Sequence, residues 1–154
     1  MNPNEKRILK ILKENEPSTR WEFVPVERQA VKRPPQGAWV SYPDFERYQE
    51  EKVVMLVESK GYRGWFYNVE GLLGLQDRKY RNYFVTKLYD KVPIQLVFEV
   101  LAGGEYSYFW EYLRNIKKLK SRLSDRENWS TGEIETYREF RAGDFRVDIE
   151  NLGK

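Results

Sequence analysis

The spacing of apolar and polar residues divides the first part of the chain into one helix and three strands. Apolar residues recur at helical intervals from Glu5 to Asn15, which predicts a helix. Alternating residues predict strands over Trp21–Val26 and Ala38–Tyr42, the second ending at Pro43 and Asp44. The nearly all-apolar run Val53–Val57 predicts a strand that is buried on both faces. The polar sequence Glu58-Ser59-Lys60-Gly61 is expected to close it.

Later segments predict further helices and one more buried strand. The predicted elements are a loop over Tyr62–Gly74, a basic helix over Leu75–Tyr89, a strand over Ile94–Val100, a break at Gly103-Gly104, an amphipathic helix over Tyr106–Leu123 and a mixed, acidic segment over Asp125–Lys154. The resulting order, α-β-β-β-α-β-α, predicts an α/β fold with a mixed β-sheet flanked by helices.

Composition restricts the chemistry that the chain can perform. A length of 154 residues suits one compact domain, and 40% hydrophobic with 16% aromatic residues indicates a folded protein. Cysteine and histidine are both absent, so a bound metal needs oxygen ligands, which favours magnesium, manganese or calcium. Neither a secretory signal nor a membrane-spanning stretch is recognisable, which predicts a soluble, cytoplasmic protein without a membrane partner. The charged fraction of 33% suggests a thermophilic source.

Charge is distributed unevenly along the chain, although the net charge is only +3. Residues 1–123 contain 22 basic and 16 acidic side chains, and residues 124–154 contain five basic and eight acidic ones. The net positive charge of residues 1–123 suits a polyanionic partner such as DNA. Many soluble domains have this charge without such a partner, so charge alone decides little.

The strongest chemical pattern joins Pro43-Asp44 with Glu58-Ser59-Lys60, which begins fourteen residues after Asp44. Glu58 and Lys60 are two apart on a predicted strand, so their side chains project from the same face. Two carboxylates with the Ser59 carbonyl would form an oxygen cradle for Mg²⁺, and Lys60 would orient a water nucleophile or offset phosphate charge. A salt bridge at a strand end would give the same pattern.

Together these motifs resemble the PD-(D/E)XK nucleases. The relevant segments are YPDF, VVMLVESKG and QDRKYRNYFVTKLYDKVPIQLVFEV, within residues 5–100. They are most similar to the phage endonuclease I type of Holliday-junction resolvase and to related small phage nucleases. That pattern has a helix with a glutamate, PDF and VE(x)KG each ending a strand, a DRKK-like helix and an IRIVF-like strand.

The resemblance implies a restriction-endonuclease-like core over residues 1–104, with residues 105–154 as a helical or mixed extension packed on the core or on a dimer partner. Asp44 and Glu58 would bind Mg²⁺, for which Mn²⁺ could substitute, and Lys60 would be the catalytic lysine. Glu5 would reach the same site and help to hold a second metal ion. Glu14, Glu16 and Glu22 are alternatives to Glu5, whose position at a helix start also favours the helix dipole.

Several residues after the catalytic lysine are candidates for DNA contact. Gln76 and Tyr80 are four apart, which resembles a Gln-x-x-x-Tyr element of exonuclease-like members of the superfamily. Packing is an alternative role for the tyrosine. Arg63 lies in the preceding loop, where aromatic residues flanked by glycine and arginine could stack on unpaired bases or cap the core. The basic candidates for phosphate contact on the predicted helix are Arg78, Lys79, Arg81 and Lys87. A solvated charged helix face would show the same run.

The function implied is Mg²⁺-dependent hydrolysis of DNA phosphodiesters, with a four-way junction as the first expected substrate. Paired nicks in opposed strands would suit a homodimer. Alternatives are a structure-insensitive endonuclease or nickase of a phage or mobile element, a catalytically inactive DNA-binding protein of the same fold, and an interaction protein without a DNA partner. For a phage-encoded protein, the expected location is the host cytoplasm.

Overall fold

The structure is a computed structural model that describes residues 1–25, 42–63, 71–127 and 131–154. For residues 63 and 85–90 it describes the backbone alone. Its helices are α1 (Pro3–Asn15), α2 (Asp77–Asp90) and the single turn α3 (Leu113–Ile116). Its strands are β1 (Arg20–Phe23), β2 (Phe45–Gln49), β3 (Lys52–Arg63), β4 (Leu72–Gln76), β5 (Ile94–Ala102), β6 (Glu105–Tyr112), β7 (Ser121–Glu127) and β8 (Ile134–Arg141). Short 3₁₀ turns cover Ala142–Asp144 and Ile149–Asn151.

A five-stranded mixed sheet forms the centre of the molecule, in the order β1-β2-β3-β5-β6. The contact between β3 and β5 is parallel, and the other three contacts are antiparallel. Parallel neighbours need a crossover connection, and α2 lies within this one. Strands β4, β8 and β7 form a second, antiparallel sheet in that order. The protein is therefore α/β with a mixed sheet, as the sequence predicts.

Two apolar clusters enclose the central sheet. Ile8 and Leu12 of α1 pack with Val57 and Val97 on one face. On the other face, Leu56 and Leu96 pack with Tyr83 of α2 and with residues of the second sheet. β3 is therefore covered on both faces, which explains why its first half is almost wholly apolar.

Tight turns fix the register of the two hairpins of the main sheet. Glu50 and Glu51 connect β2 to β3, and both have positive φ angles, of 51° and 66°. Gly103 and Gly104 connect β5 to β6 with φ angles of 59° and 78°. Positive φ at both central residues matches the right-handed twist of hairpin strands, and glycine adopts it without strain. The break predicted at Gly103-Gly104 is confirmed as this turn.

The predicted helix over Tyr106–Leu123 is wrong. Its first part is β6, which pairs with β5 from Glu105 to Tyr112, its last part begins β7, and only Leu113–Ile116 is helical. The aromatic residues of β6 favour a strand at the edge of the sheet, where cross-strand contacts stabilise them. The predicted extension, residues 105–154, thus supplies β6 to the main sheet and β7 and β8 to the second one.

Element boundaries before residue 90 also differ from the prediction. β3 continues through Glu58-Ser59-Lys60-Gly61 instead of ending there, because these residues pair with β5. Strand β2 lies between Asp44 and Val53, where no element was predicted, and the loop predicted over Tyr62–Gly74 contains most of β4. Helix α2 begins at Asp77 instead of Leu75. Of the predicted strand Ala38–Tyr42, residues 38–41 lie outside the described residues, and Tyr42 is not in a strand.

Candidate active site

Asp44 and Glu58 lie side by side where β2 begins against the middle of β3. The antiparallel register pairs Phe45 with Val57, so one step further sets Asp44 opposite Glu58. The backbone N–H and the hydroxyl of Ser59 both donate to Asp44 Oδ2, at 3.1 and 3.0 Å. Two hydrogen bonds to one oxygen fix the orientation of the Asp44 carboxyl group. The strand pairing and Ser59 thus bring together the two acids that the sequence analysis selected.

Burial and like charge act together on Asp44. Burial, followed by the charge and hydrogen bonding of Glu58, raises the pKa of the Asp44 carboxyl to about 8. The hydrogen bonds from Ser59 lower the pKa but are outweighed. A neighbouring carboxylate raises the pKa of an acid because two adjacent negative charges repel each other. At neutral pH the raised pKa favours the protonated form of the Asp44 carboxyl, and a divalent cation bound there would displace that proton.

Two lysines meet beside the carboxylate pair. Lys60 lies two residues after Glu58 on the same face of β3 and is half-buried, as is Lys79 of α2. The charge of Lys60, followed by burial, lowers the pKa of the Lys79 ammonium group. Glu58 acts on the pKa of Lys79 in the opposite direction. The site thus contains two acids and two lysines, a set suited to a cation and a phosphate together.

Tyr83 is a site residue that the sequence analysis missed. Its hydroxyl donates to Glu58 Oε2 at 2.5 Å, and its side chain is only 1% exposed. Burial, followed by the charge of Glu58, raises the pKa of Tyr83 well above its usual value. Lys79 and Tyr83 are four residues apart, so they share the face of α2 that meets β3. This four-residue spacing is the feature of the sequence from which Tyr83 could have been predicted.

The predicted pair Gln76 and Tyr80 does not share a helix face. Gln76 is the last residue of β4, and its amide donates to Glu135 at 2.5 Å. Tyr80 is 9% exposed and packs edge-on against Phe84, with ring centroids 4.8 Å apart. The alternative role of packing therefore holds for Tyr80. The error follows from the predicted helix start, which was two residues early.

The other residues predicted to contact DNA differ in their distance from the candidate site and in whether the structure describes their side chains. Arg78 and Arg81 are exposed on α2, and Arg81 forms an ion pair with Asp77 at 3.2 Å. The side chains of Arg63 and Lys87 lie outside the described residues, although their backbones belong to β3 and α2. Lys79 is the one predicted contact that the described residues place beside Lys60.

Glu5 forms a capping box at the start of α1. Its carboxylate accepts bonds from Asn2 N at 3.1 Å and Asn2 Nδ2 at 2.9 Å, and its own N–H donates to Asn2 Oδ1 at 2.8 Å. These bonds satisfy free N–H groups at the helix start. These bonds hold Glu5 in the helix cap, and among the described residues it forms no three-acid cluster with Asp44 and Glu58.

The three alternatives to Glu5 also have local roles. Glu14 and Glu22 form exposed ion pairs with Lys10 at 4.0 Å and Arg20 at 3.3 Å. Glu16 is the C-cap of α1. Among the described residues, no three acids lie close enough together to form a metal cluster. Protein ligands from this part of the chain would therefore be Asp44 and Glu58, with the carbonyl oxygen predicted for Ser59.

Comparisons with known proteins leave the family open. No model of a known protein family matches the chain. No curated protein is significantly similar to it. The PD-(D/E)XK resemblance therefore stays a prediction from the motifs. Within the described part of the chain, no helix is both long and apolar enough to cross a membrane.

Proposed function

We propose that the chain is a Mg²⁺-dependent endodeoxyribonuclease of the PD-(D/E)XK type, with branched DNA as its first expected substrate. The observation that carries this proposal is the side-by-side position of Asp44 and Glu58, with Lys60 following on the same strand face. Acids that face one another in a buried position need a counter-charge, and a lysine beside them suits an anionic substrate.

The donor set fits a hard divalent cation. Both side-chain ligands offer carboxylate oxygen, the type that Mg²⁺ and Mn²⁺ prefer. The pKa of about 8 at Asp44 supports the fit, because burial and the neighbouring Glu58 disfavour the ionised form of Asp44, which a bound cation would stabilise. Bound Mg²⁺ would supply Lewis acidity, which activates a water molecule and neutralises charge on the phosphate.

Protein groups around the acids have separate roles in the proposed reaction. Ser59 orients the Asp44 carboxylate through two hydrogen bonds, and Tyr83 orients Glu58 through one. Lys60 and Lys79 bind the scissile phosphate and offset the negative charge that grows on its oxygens during hydrolysis. A bound phosphate also relieves the repulsion between the two ammonium groups.

Element order supports the family assignment. The helix α1, the neighbouring strands β2 and β3, the helix α2 and the strand β5 follow one another in the order of the family pattern. The chain departs from it in two ways. Asp44 precedes a strand instead of ending one, and Glu58-Ser59-Lys60 lies inside β3. Strand β4 is also inserted before α2.

The decisive experiment compares the cleavage of a labelled, immobile four-way junction with that of a matched duplex. Each is incubated with Mg²⁺, Mn²⁺ or EDTA, at moderate and high temperature. The variants are Glu58→Gln, which keeps the size of the side chain, and the exposed Glu105→Gln as a matched control. We expect nicks with Mg²⁺ in wild type and Glu105→Gln, and a loss of at least about a hundredfold in Glu58→Gln.

The substrates separate the competing functions. Faster nicking of the junction supports a resolvase, whose paired cuts would suit the predicted homodimer. Equal nicking of both DNAs would indicate a structure-insensitive endonuclease or nickase. If wild type binds both DNAs and cuts neither with either metal, the chain is instead a DNA-binding protein without this catalysis.

A further inference from the structure

A run of basic residues connects β6 to β7. Between Tyr112 and Ser124 the chain has five basic residues and no acidic one: Arg114, Lys117, Lys118, Lys120 and Arg122. This local charge of +5 exceeds the +3 of the whole chain. We call these five residues and the segment that carries them the basic connector.

Apolar residues of the connector hold it firmly against the protein. Leu113 and Ile116 are fully buried, and Leu119 packs on the same core cluster. The N–H groups of Lys117 and Leu119 donate to Leu113 and Ile116 carbonyls at 3.1 and 3.0 Å. All five basic side chains are exposed. The connector therefore presents its charges from a fixed backbone, which lowers the entropy lost when a partner binds.

A groove of about 510 Å³ begins where the connector joins β7. Lys120, Arg122 and Arg141 line it, with the carboxylate of Glu139 among them. Arg126 reaches that carboxylate at 2.7 Å and Arg122 at 3.3 Å, so one acid offsets part of the charge of two arginines. The groove therefore keeps a positive balance.

Strand alternation separates the nearby acids from this groove. Arg122 and Arg126 lie on one face of β7, whereas Asp125 and Glu127 lie on the other, because successive side chains alternate. Asp125 accepts a hydrogen bond from Thr136 there, at 2.8 Å. Asp125 and Glu127 therefore lie on the face of β7 away from the basic side chains of the groove.

The connector borders the helix that carries two residues of the candidate active site. Lys117 Nζ lies 5.8 Å from the ring centroid of Phe84 on α2. The preceding residue, Tyr83, donates to Glu58 on the side of α2 that meets β3. Helix α2 thus contacts the carboxylate pair on one side and the basic connector on another.

From these observations we infer that the basic connector, together with Arg141, is a second phosphate-binding surface that holds the DNA backbone beyond the cleavage site. This inference rests on the proposed function, since it identifies where the substrate of that site is held. The occupant is the phosphate backbone of DNA, because exposed lysines and arginines along a surface bind it without reading its sequence.

The test measures equilibrium binding of a labelled DNA duplex in EDTA, where the metal-dependent reaction cannot occur, over a range of salt concentrations. The variant is Lys117→Gln/Lys118→Gln/Lys120→Gln. The control is Lys6→Gln/Lys10→Gln/Lys13→Gln, which removes three exposed lysines from α1, on the opposite face of the central sheet. Thermal unfolding of both variants establishes that each remains folded.

We expect the connector variant to lose on the order of tenfold or more in affinity at low salt. The slope of log affinity against log salt should fall by about one for each lost phosphate contact. The control should bind like wild type. Unchanged affinity and slope in the connector variant would overturn the inference, as would an equal loss in the control, because the effect would then be one of net charge.

Cleavage by the same proteins separates this inference from the proposed function. If the connector variant loses DNA binding but wild type cuts no DNA with Mg²⁺, the surface stands as a DNA-binding one and the nuclease proposal fails. If wild type cuts DNA, Glu58→Gln does not, and the connector variant binds and cuts like wild type, the nuclease stands and the second surface is refuted.

Discussion

At the scale of residues, the environment of Asp44 makes the stability of the fold depend on pH. Asp44 combines burial, a neighbouring carboxylate and two hydrogen bonds from Ser59, and the first two effects raise its pKa to about 8. The ordinary pKa of aspartate is about 3.9. Between about pH 4 and 8 the Asp44 carboxyl is therefore mostly protonated in the folded protein and mostly ionised in the unfolded chain. The stability of the fold consequently depends on pH in this range.

Replacement of Asp44 by asparagine should remove this coupling. Because the folded pKa is raised, the protonated form stabilises wild type below about pH 4, and this contribution falls as pH rises from about 4 to 8. Between pH 5 and 8.5, the free energy of unfolding of wild type should thus fall by on the order of a few kcal/mol relative to that of Asp44→Asn. Urea unfolding in EDTA measures the difference, and parallel stability curves for the two proteins would contradict it.

Sequence spacing selected Asp44, Glu58 and Lys60 as candidates because few residue types carry this chemistry and strand geometry fixes their faces. It did not identify Tyr83, since a tyrosine in an apolar helix face predicts packing equally well. The local role of Glu5 was also open from the sequence, because an acid at a helix start caps the helix whether or not it binds a metal.

At the scale of elements, the position where α2 begins and its packing on β3 determine which residues meet the candidate site. Gln76–Tyr80 and Lys79–Tyr83 both have the spacing of one helix face, and the sequence alone does not choose between them. Packing chooses: Tyr83 meets Glu58, whereas Tyr80 packs against Phe84 and Phe140. Tertiary contacts, and not propensity, therefore determined the correct pair.

Tyr83→Phe should test the role of this face. The change removes the hydroxyl that donates to Glu58 and leaves the buried ring in place. If the proposed function holds, the cleavage rate should fall roughly tenfold, and half-maximal rate should need more Mg²⁺, because Glu58 is less firmly oriented. Tyr80→Phe is the matched control and should retain activity within about twofold. Equal effects of the two substitutions would contradict a role specific to Tyr83.

The segment Tyr106–Leu123 shows why one element was predicted wrongly. Phe109, Leu113 and Ile116 have helical spacing, yet Phe109 lies in β6 and the other two lie in α3. Their burial results from a strand followed by one helical turn, and this produces the same spacing as a continuous helix. The pairing with β5 that stabilises β6 is a tertiary contact, and periodicity along one segment does not report it.

At the scale of the whole molecule, the C-terminal residues join α1 to the central sheet. Leu152 is fully buried in the cluster that contains Ile8 and Leu12. Asn15 at the end of α1 donates to the carbonyls of Ile149 and Leu152, at 2.8 and 2.9 Å. This tail was predicted only as a mixed segment, because its hydrogen bonds to other elements are with residues 38 to 137 positions away in the sequence.

Gly153 is the position where this docking depends most on the absence of a side chain. Its N–H donates to Gln95 Oε1 at 2.8 Å, its carbonyl accepts from Arg47, and its φ angle is 82°. An added Cβ would lie 2.7 Å from Leu12 Cδ2 and 2.8 Å from Trp21 Cζ2, both in buried side chains. Left-handed backbone and overpacking should thus act together against any larger residue.

We therefore expect Gly153→Ala to lower the free energy of unfolding by roughly 2–4 kcal/mol, from backbone strain and overpacking combined. Gly143→Ala is a suitable control, because an added Cβ there meets no atom within 4 Å. Urea denaturation of the three proteins measures the effect. A midpoint for Gly153→Ala equal to that of the control would mean that the tail can leave the sheet without loss of stability. A lowered midpoint would instead establish that residues 149–154 fold as part of the same cooperative unit as α1 and the main sheet.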